Sequence, residues 1–166
     1  MKTILAPIDF SPITDRVCEA AIDLAKAVEG RLVLLHSVPP PIIASEYVPM
    51  VENIVEIAAA SDPAAVKQLA RLQRKLQPRL VVVETVQLYG APVAHILEQA
   101  DALGADYIVM GSHGHTALYD LLAGSTAHGV LRKAPCPVVI VPPVMKAAKK
   151  VKKPRSRVSS RPNPRR

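Results

Sequence analysis

Aromatic side chains are nearly missing from this sequence: it has no Trp, one Phe and four Tyr among 166 residues. Proteins that read single-stranded nucleic acid stack bases on such rings, so specific readout of that kind is excluded. Cysteine is as scarce, and Cys18 and Cys136 alone cannot build a disulfide framework. No apolar run approaches the roughly 18 residues that a bilayer span needs. The first ten residues hold one lysine and a short apolar stretch broken by Pro7 and Asp9. That is too short for a secretory signal and lacks a small-residue cleavage site, so a cytoplasmic location is expected. There is no GK[ST] phosphate loop, no kinase loop set and no nucleophile elbow with a Ser-His-Asp order.

Acidic residues are absent from one place. Residues 146–166 hold ten Lys/Arg and no Asp/Glu, which leaves eleven Lys/Arg against all fourteen Asp/Glu in residues 1–145, a net of −3. The pI near 9.6 therefore describes the end of the chain and not its body. The expected organisation is one domain over 1–145 and a disordered basic tail over 146–166. The tail reads either as a solubilising extension or as a contact for a polyanion.

What is present is a repeating order of apolar runs and amphipathic stretches. TILAPI (Thr3 to Ile8), RLVLLHS (Arg31 to Ser37), LVVVETV (Leu80 to Val86), YIVM (Tyr107 to Met110) and VVIV (Val138 to Val141) read as strands. Most are apolar throughout, as strands covered on both faces are. Ser11 and Pro12 read as the N-cap and first residue of a helix that Gly30 caps at its end. Asp62-Pro63 opens a second helix, ended by Pro78, and Val93 to Leu103 forms a third, capped by Gly104. A fourth is expected from about Ser125. Residues 38–61 read as an irregular connection. Alternating strands and helices imply an α/β fold, an open, doubly wound parallel sheet with helices on both faces.

In such a sheet, ligands bind beyond the C-terminal strand ends. Two segments lie there: Pro7-Ile8-Asp9-Phe10-Ser11 and Gly111-Ser112-His113-Gly114, the latter leading to Gly124-Ser125-Thr126. Gly111, Gly114 and Gly124 follow no helix, and glycines of this kind permit positive φ and let N–H groups converge on an anion. With the hydroxyls of Ser125 and Thr126 they read as a phosphate cradle. His113 and His115 lack carboxylate or cysteine neighbours at ligand spacing, so His113 reads as part of the loop rather than a zinc ligand. His36 reads as a satisfied core histidine, and the two cysteines read as structural thiols.

The spacing G-x2-G-x9-G-[ST], with ILAPIDFS, LVLLHS, ADYIVMGSHG and LAGSTAHGVLRKAPCPVVIVP, resembles the universal stress protein family over residues 1–143. The resemblance implies a Rossmann-like, five-stranded parallel sheet in the order 3-2-1-4-5. It also implies an ATP site of the family's nucleotide-binding subgroup. Gly111, Ser112, His113 and Gly114 would surround ribose and phosphates, and Gly124, Ser125 and Thr126 would hold the β- and γ-phosphates. Asp9 would sit near the ribose or a phosphate-bound Mg²⁺, Pro7 and Ile8 would line the adenine side, Ser37 would meet adenine through its backbone, and Met110 would pack nearby. A homodimer through the last strand is implied as well. No side chain reads as a general base for an attacking water, so any ATP hydrolysis would be slow. The expected function is a nucleotide-binding stress or signalling module. The alternatives are a polyanion-associated protein acting through its tail, or a metabolic enzyme on a related fold. The enzyme would need a glycine-rich loop where this chain has APIDFSP.

Overall fold

A computed structural model describes residues 1–38, 63–79, 82–113 and 124–143. The elements run β1 (Thr3–Ile8), α1 (Thr14–Ala27), β2 (Arg31–Val38), α2 (Pro63–Leu76), a 3₁₀ turn (Gln77–Arg79), β3 (Val82–Tyr89), α3 (Pro92–Ala102), β4 (Tyr107–Gly111), α4 (Ser125–Leu131) and β5 (Val138–Val141). The five strands form one parallel sheet in the order β3-β2-β1-β4-β5. That is the fold class and order expected. Asp62, Leu80, Val81, Gly114, the connection over 39–62 and the tail lie outside the described residues. No helix of the described residues is long and apolar enough to cross a membrane.

Alternation along each strand divides the core in two. Ile4, Ala6 and Ile8 of β1 and Leu32 and Leu34 of β2 pack with Val17, Ala21 and Ile22 of α1 and Leu69 and Leu76 of α2. Leu5 of β1, Val33 and Leu35 of β2, and Ile108 and Met110 of β4 pack on the other face with Ile96 and Ala100 of α3 and Ala127 and Val130 of α4. Strands covered on both faces must be apolar at every position, which is why β1, β2 and β4 stand out in the sequence. The edge strand β3 departs from that pattern. Val82 is 52% exposed and Glu84 faces solvent, because β3 has a neighbour on one edge only.

Three local expectations change. Helix α1 begins at Thr14, not at Pro12, and no side chain caps it. The Ser11 carbonyl accepts from the Thr14 N–H at 2.9 Å, while the Ser11 N–H donates to Asp9 Oδ1 at 3.0 Å. Asp9 thus closes a tight turn in which Phe10 takes the left-handed φ of 58°. The Phe10 ring rests 4.4 Å from His36, whose Nδ1 meets the Ile8 carbonyl at 2.9 Å. His36 is therefore partnered as expected, but it is half-buried rather than in the core.

The end of α1 differs too. Glu29, with φ 51°, takes the left-handed position, and Gly30 does not. Gly30 is needed for space: a Cβ there would stand 2.6 Å from the Lys2 carbonyl oxygen and 2.7 Å from Ile4 Cδ1. The gap exists because the Arg31 N–H donates to that same Lys2 oxygen at 2.8 Å as β2 enters beside β1. Gly104, with φ 57°, does occupy the left-handed cap after α3.

Charges fasten the strand entries. Lys2 Nζ meets Asp106 Oδ1 at 2.7 Å, and Asp106 Oδ2 accepts from the Thr3 N–H at 2.8 Å. The Lys2 hydrogen bond and then that N–H hold the Asp106 carboxyl below its ordinary value of 3.8. Such a depressed carboxyl stabilises the fold above its ordinary value, and the contribution is lost as pH falls through the folded value. On the outer face of α1, Arg79 reaches Glu19 at 2.5 Å and Asp23 at 3.5 Å, and Lys75 reaches Asp15 at 2.9 Å. Cys18 is buried beneath, and desolvation pushes its thiol up to about 11.

Gly30→Ala will lower stability by about 1–3 kcal/mol, because a backbone carbonyl must move to admit the methyl group. Urea unfolding of the variant against the parent chain measures this, and an unchanged midpoint would show that the β1–β2 entry is looser than described.

Candidate functional site

The sheet order puts β1 beside both β2 and β4. The chain leaves β1 into α1 on one face, and β4 leads toward α4 on the other. Between these diverging exits lies a cleft of about 380 Å³, within the range of ligand pockets.

One wall is apolar. Pro7 and Ile8 of β1, Leu35 of β2, Ile13 and Val17 at the start of α1, Ile96 of α3 and Met110 of β4 supply it. The other end is built from Gly111, Ser112, His113, Gly124, Ser125, Thr126 and Ala127. Asp9 and Ser37 line it as well. So every residue that the resemblance assigns to the nucleotide site borders one space, except Gly114, which lies outside the described residues; Phe10 and Ser11 of the first segment do not line it.

How these residues are held differs from expectation. Gly111 and Gly124 do not have positive φ; among the described glycines only Gly90 and Gly104 do. At Gly111 the reason is distance, since a Cβ would stand 3.0 Å from Ile13 Cγ2 and 3.2 Å from the His113 carbonyl oxygen. The Gly124 N–H is already committed, donating to the Ser112 carbonyl at 2.7 Å. In turn the Ser112 N–H donates to the Val141 carbonyl at 2.9 Å, and its Oγ lies 3.1 Å from His113 Nδ1. Ser112 is thereby a buried link tying the end of β4 to β5 and to the start of α4. Among the described residues no partner is seen for the N–H groups of Ser125, Thr126 and Ala127, which precede the first return bond of α4, from His128 N–H to the Gly124 carbonyl at 2.9 Å. The helix is only seven residues long, so these donors count for more than its dipole.

Sequence reasoning missed Thr14. It begins α1, is buried to 7% exposure and borders the cleft. Its Oγ1 has no hydrogen-bond partner among the described residues, and neither does Ser11 Oγ. A hydroxyl set between Ile13 and Val17 in an otherwise apolar helix face was the available signal. His95 of α3 was also missed: its Nδ1 lies 2.9 Å from Ser37 Oγ. Among the described residues, Asp9 is the one carboxylate bordering the cleft. No group of three or more His, Cys, Asp or Glu capable of holding a metal occurs among the described residues.

A parallel α/β sheet with a cleft at its reversal point, one end apolar and the other lined by main-chain N–H groups, is a Rossmann-like architecture. The model of the universal stress protein family matches residues 1–142, and the chain belongs to that family. It is 31% identical over 145 residues to universal stress protein YxiE of Bacillus subtilis, covering 83% of this chain and 97% of that protein. The solved structure of the Methanocaldococcus jannaschii protein MJ0577 superposes with a TM-score of 0.74 at 27% identity, covering 86% of this chain and 96% of that one. The structure of an Archaeoglobus fulgidus universal stress protein in complex with dAMP superposes with a TM-score of 0.59 at 23% identity, covering 84% and 97%, which establishes a shared fold.

Thr14→Val will raise stability by about 1 kcal/mol, because it replaces an unsatisfied buried hydroxyl with a methyl group of the same shape. The urea midpoint will rise at constant slope. A fall would show that the hydroxyl has a partner in the folded chain.

Proposed function

We propose that the cleft binds an adenine nucleotide, with ATP as the ligand, and that the protein acts as a nucleotide-dependent stress or signalling module. The observation that carries this is the joining of an apolar slot to a donor-rich end within one cleft at the strand ends. An apolar slot suits a flat base, and adjacent free N–H groups suit phosphate oxygens. The open N–H groups of Ser125, Thr126 and Ala127, with the Ser125 and Thr126 hydroxyls, would take the terminal phosphates. Gly111 to His113, with Gly114, would border the ribose and the inner phosphates. Pro7, Ile8, Met110 and Ser37 would enclose the base.

Mg²⁺ fits in a limited way. Among the described residues one carboxylate, Asp9, stands at the cleft, and Mg²⁺ is commonly held by one or two carboxylates together with substrate phosphates. The ion would neutralise phosphate charge. The dAMP complex of the Archaeoglobus protein adds that this fold can hold an adenine nucleotide. The reading includes pairing of two chains along β5, an edge strand whose Val139 is 39% exposed.

Titration calorimetry of the full chain with ATP, with and without Mg²⁺, tests the site. Saturable binding is expected, and Ser125→Asp will abolish it. An acid at the start of a helix is compatible with the fold but repels phosphate. Absence of binding by the folded parent chain would overturn the reading.

A second reading concerns polyanions. Helix α2 carries five cations with the turn after it (Lys67, Arg71, Arg74, Lys75, Arg79) and no acid. Lys75 and Arg79 are ion-paired, but Lys67, Arg71 and Arg74 are exposed and make no ion pair among the described residues. Spaced four and three residues apart, they share one face. With the ten cations of residues 146–166 they would attract nucleic acid without sequence preference. Duplex DNA binding that weakens steeply with salt is expected. Removal of residues 146–166 will weaken it severely while ATP binding persists. No DNA binding at low salt would end this reading.

A further inference from the structure

We propose that His95 locks the Ser37 hydroxyl as a hydrogen-bond acceptor, so that the β2 end of the cleft selects a purine whose 6-substituent is an N–H donor, a 6-amino purine over a 6-oxo purine, whose oxygen would face the Ser37 lone pair. The inference rests on the nucleotide reading above and adds what sets base choice.

Ser37 ends the cleft on the side away from the open N–H groups. Those groups lie beyond β4, whereas Ser37 lies at the end of β2, with β1 between them. Neighbouring strands are spaced by about 4.8 Å, so the two ends stand roughly 10 Å apart. The wall joining them is apolar. A ligand whose anionic part meets the N–H groups therefore brings its ring toward Ser37.

Among the described residues the Ser37 hydroxyl has two polar neighbours. His95 Nδ1 lies at 2.9 Å, and the Gly90 carbonyl oxygen, an acceptor only, lies at 3.4 Å. A hydroxyl has one hydrogen to donate and two lone pairs. When His95 Nδ1 is bare, it takes the Ser37 hydrogen and both lone pairs are left over. When Nδ1 carries a hydrogen, it donates to Ser37 Oγ, and the Ser37 hydrogen turns to Gly90. In both tautomers the hydrogen is used inside the protein and at least one lone pair remains. What Ser37 offers the cleft is then an acceptor whichever nitrogen of His95 is protonated.

The arrangement is braced. His95 sits in the first turn of α3, its N–H donating to the Ala91 carbonyl at 3.1 Å. Its ring lies over Gly90, where a Cβ would be 2.9 Å from His95 Cε1. Gly90 has φ 137°, and its N–H donates to the Val38 carbonyl at 3.0 Å. The glycine thus makes room for the ring that orients the serine. His95 itself does not border the cleft, so it acts through Ser37 as a positioning residue.

The test is calorimetric titration of the full chain with ATP and with inosine triphosphate, which carries an oxygen where adenine carries the amino group. The parent chain will prefer ATP by roughly tenfold, the scale of one mismatched buried hydrogen bond. Ser37→Ala will bring the two affinities together. His95→Phe, which keeps a ring over Gly90 but removes the nitrogen, leaves the hydroxyl only its 3.4 Å contact with the Gly90 carbonyl and will narrow the preference. His95→Asn restores an acceptor beside Ser37 and will retain the preference. Circular dichroism and thermal unfolding check the fold of each variant, and Ser37→Ala decides the matter should His95→Phe not fold. Equal binding of both nucleotides by the parent chain overturns the inference, as does an unchanged ratio in Ser37→Ala; in both cases the nucleotide site stands. Binding of neither nucleotide by the parent chain overturns the nucleotide reading and this inference together.

Discussion

Pairing of β1 on both edges is the constraint on which the rest depends. β1 runs parallel to β2 from Thr3↔Arg31 to Ile8↔His36, and to β4 at Ile4↔Tyr107 and Leu5↔Ile108. A strand so placed has no exposed edge, and helices cover both of its faces. Every side chain from Ile4 to Ala6 is fully buried. Right-handed crossovers that run in opposite directions along the sheet pass over opposite faces, so the crossover from β1 to β2 and the crossover from β4 to β5 leave toward opposite sides. That divergence opens the cleft where β1 and β4 end. The site is thus a consequence of the strand order and not an addition to it.

Close backbone approach is the second requirement of this order. Gly30 lets β2 enter against Lys2, and Gly111 lets the end of β4 pass Ile13. In helix α4, a Cβ at Gly129 would stand 2.8 Å from Val93 Cγ2, so the glycine brings α4 against α3. These three glycines are matters of volume. The left-handed geometry that glycine tolerates is carried elsewhere, partly by Phe10 and Glu29. Phe10 is notable because its turn borders the cleft and is held by Asp9 and by the ring contact with His36. A non-glycine residue in that region costs energy, and such costs persist where surrounding contacts hold the shape that function uses.

Much of this was legible from residue pattern because a doubly covered sheet writes a strong signal. β1, β4 and β5 appear as unbroken apolar runs, and their observed bounds fall within a residue of those read from the sequence. β3 was less legible because an edge strand need not be apolar, so the polar Gln87 placed its end at Val86 instead of Tyr89. The start of α1 was misread because Ser11-Pro12 has the chemistry of a cap, but the Asp9 side chain takes the Ser11 N–H and delays the helix. The cleft lining could be listed in advance where glycine and hydroxyl residues mark strand ends. It could not where apolar side chains serve core and cleft at once, as Ile13, Val17 and Ile96 do. Nor does any pattern join Ser37 to His95, 58 positions apart, because that contact exists only once β2 and β3 are in register.

The register of β2 and β3 gives the cleft a direction. Val38 pairs with Tyr89, so the turn at Gly90 arrives beside Ser37 and carries α3 back over the sheet with His95 in its first turn. One end of the cleft then presents main-chain donors, and the other presents a side-chain lone pair. Donors that belong to the backbone cannot be varied by substitution, so the phosphate end of such a site is set by the fold. On the proposed reading the base end would depend on two side chains and a glycine. Relatives sharing the fold could then share the anion end and still differ in the base they take. In this chain the deciding residues would be Ser37, Gly90 and His95, none of which lies in the glycine motif quoted for the family.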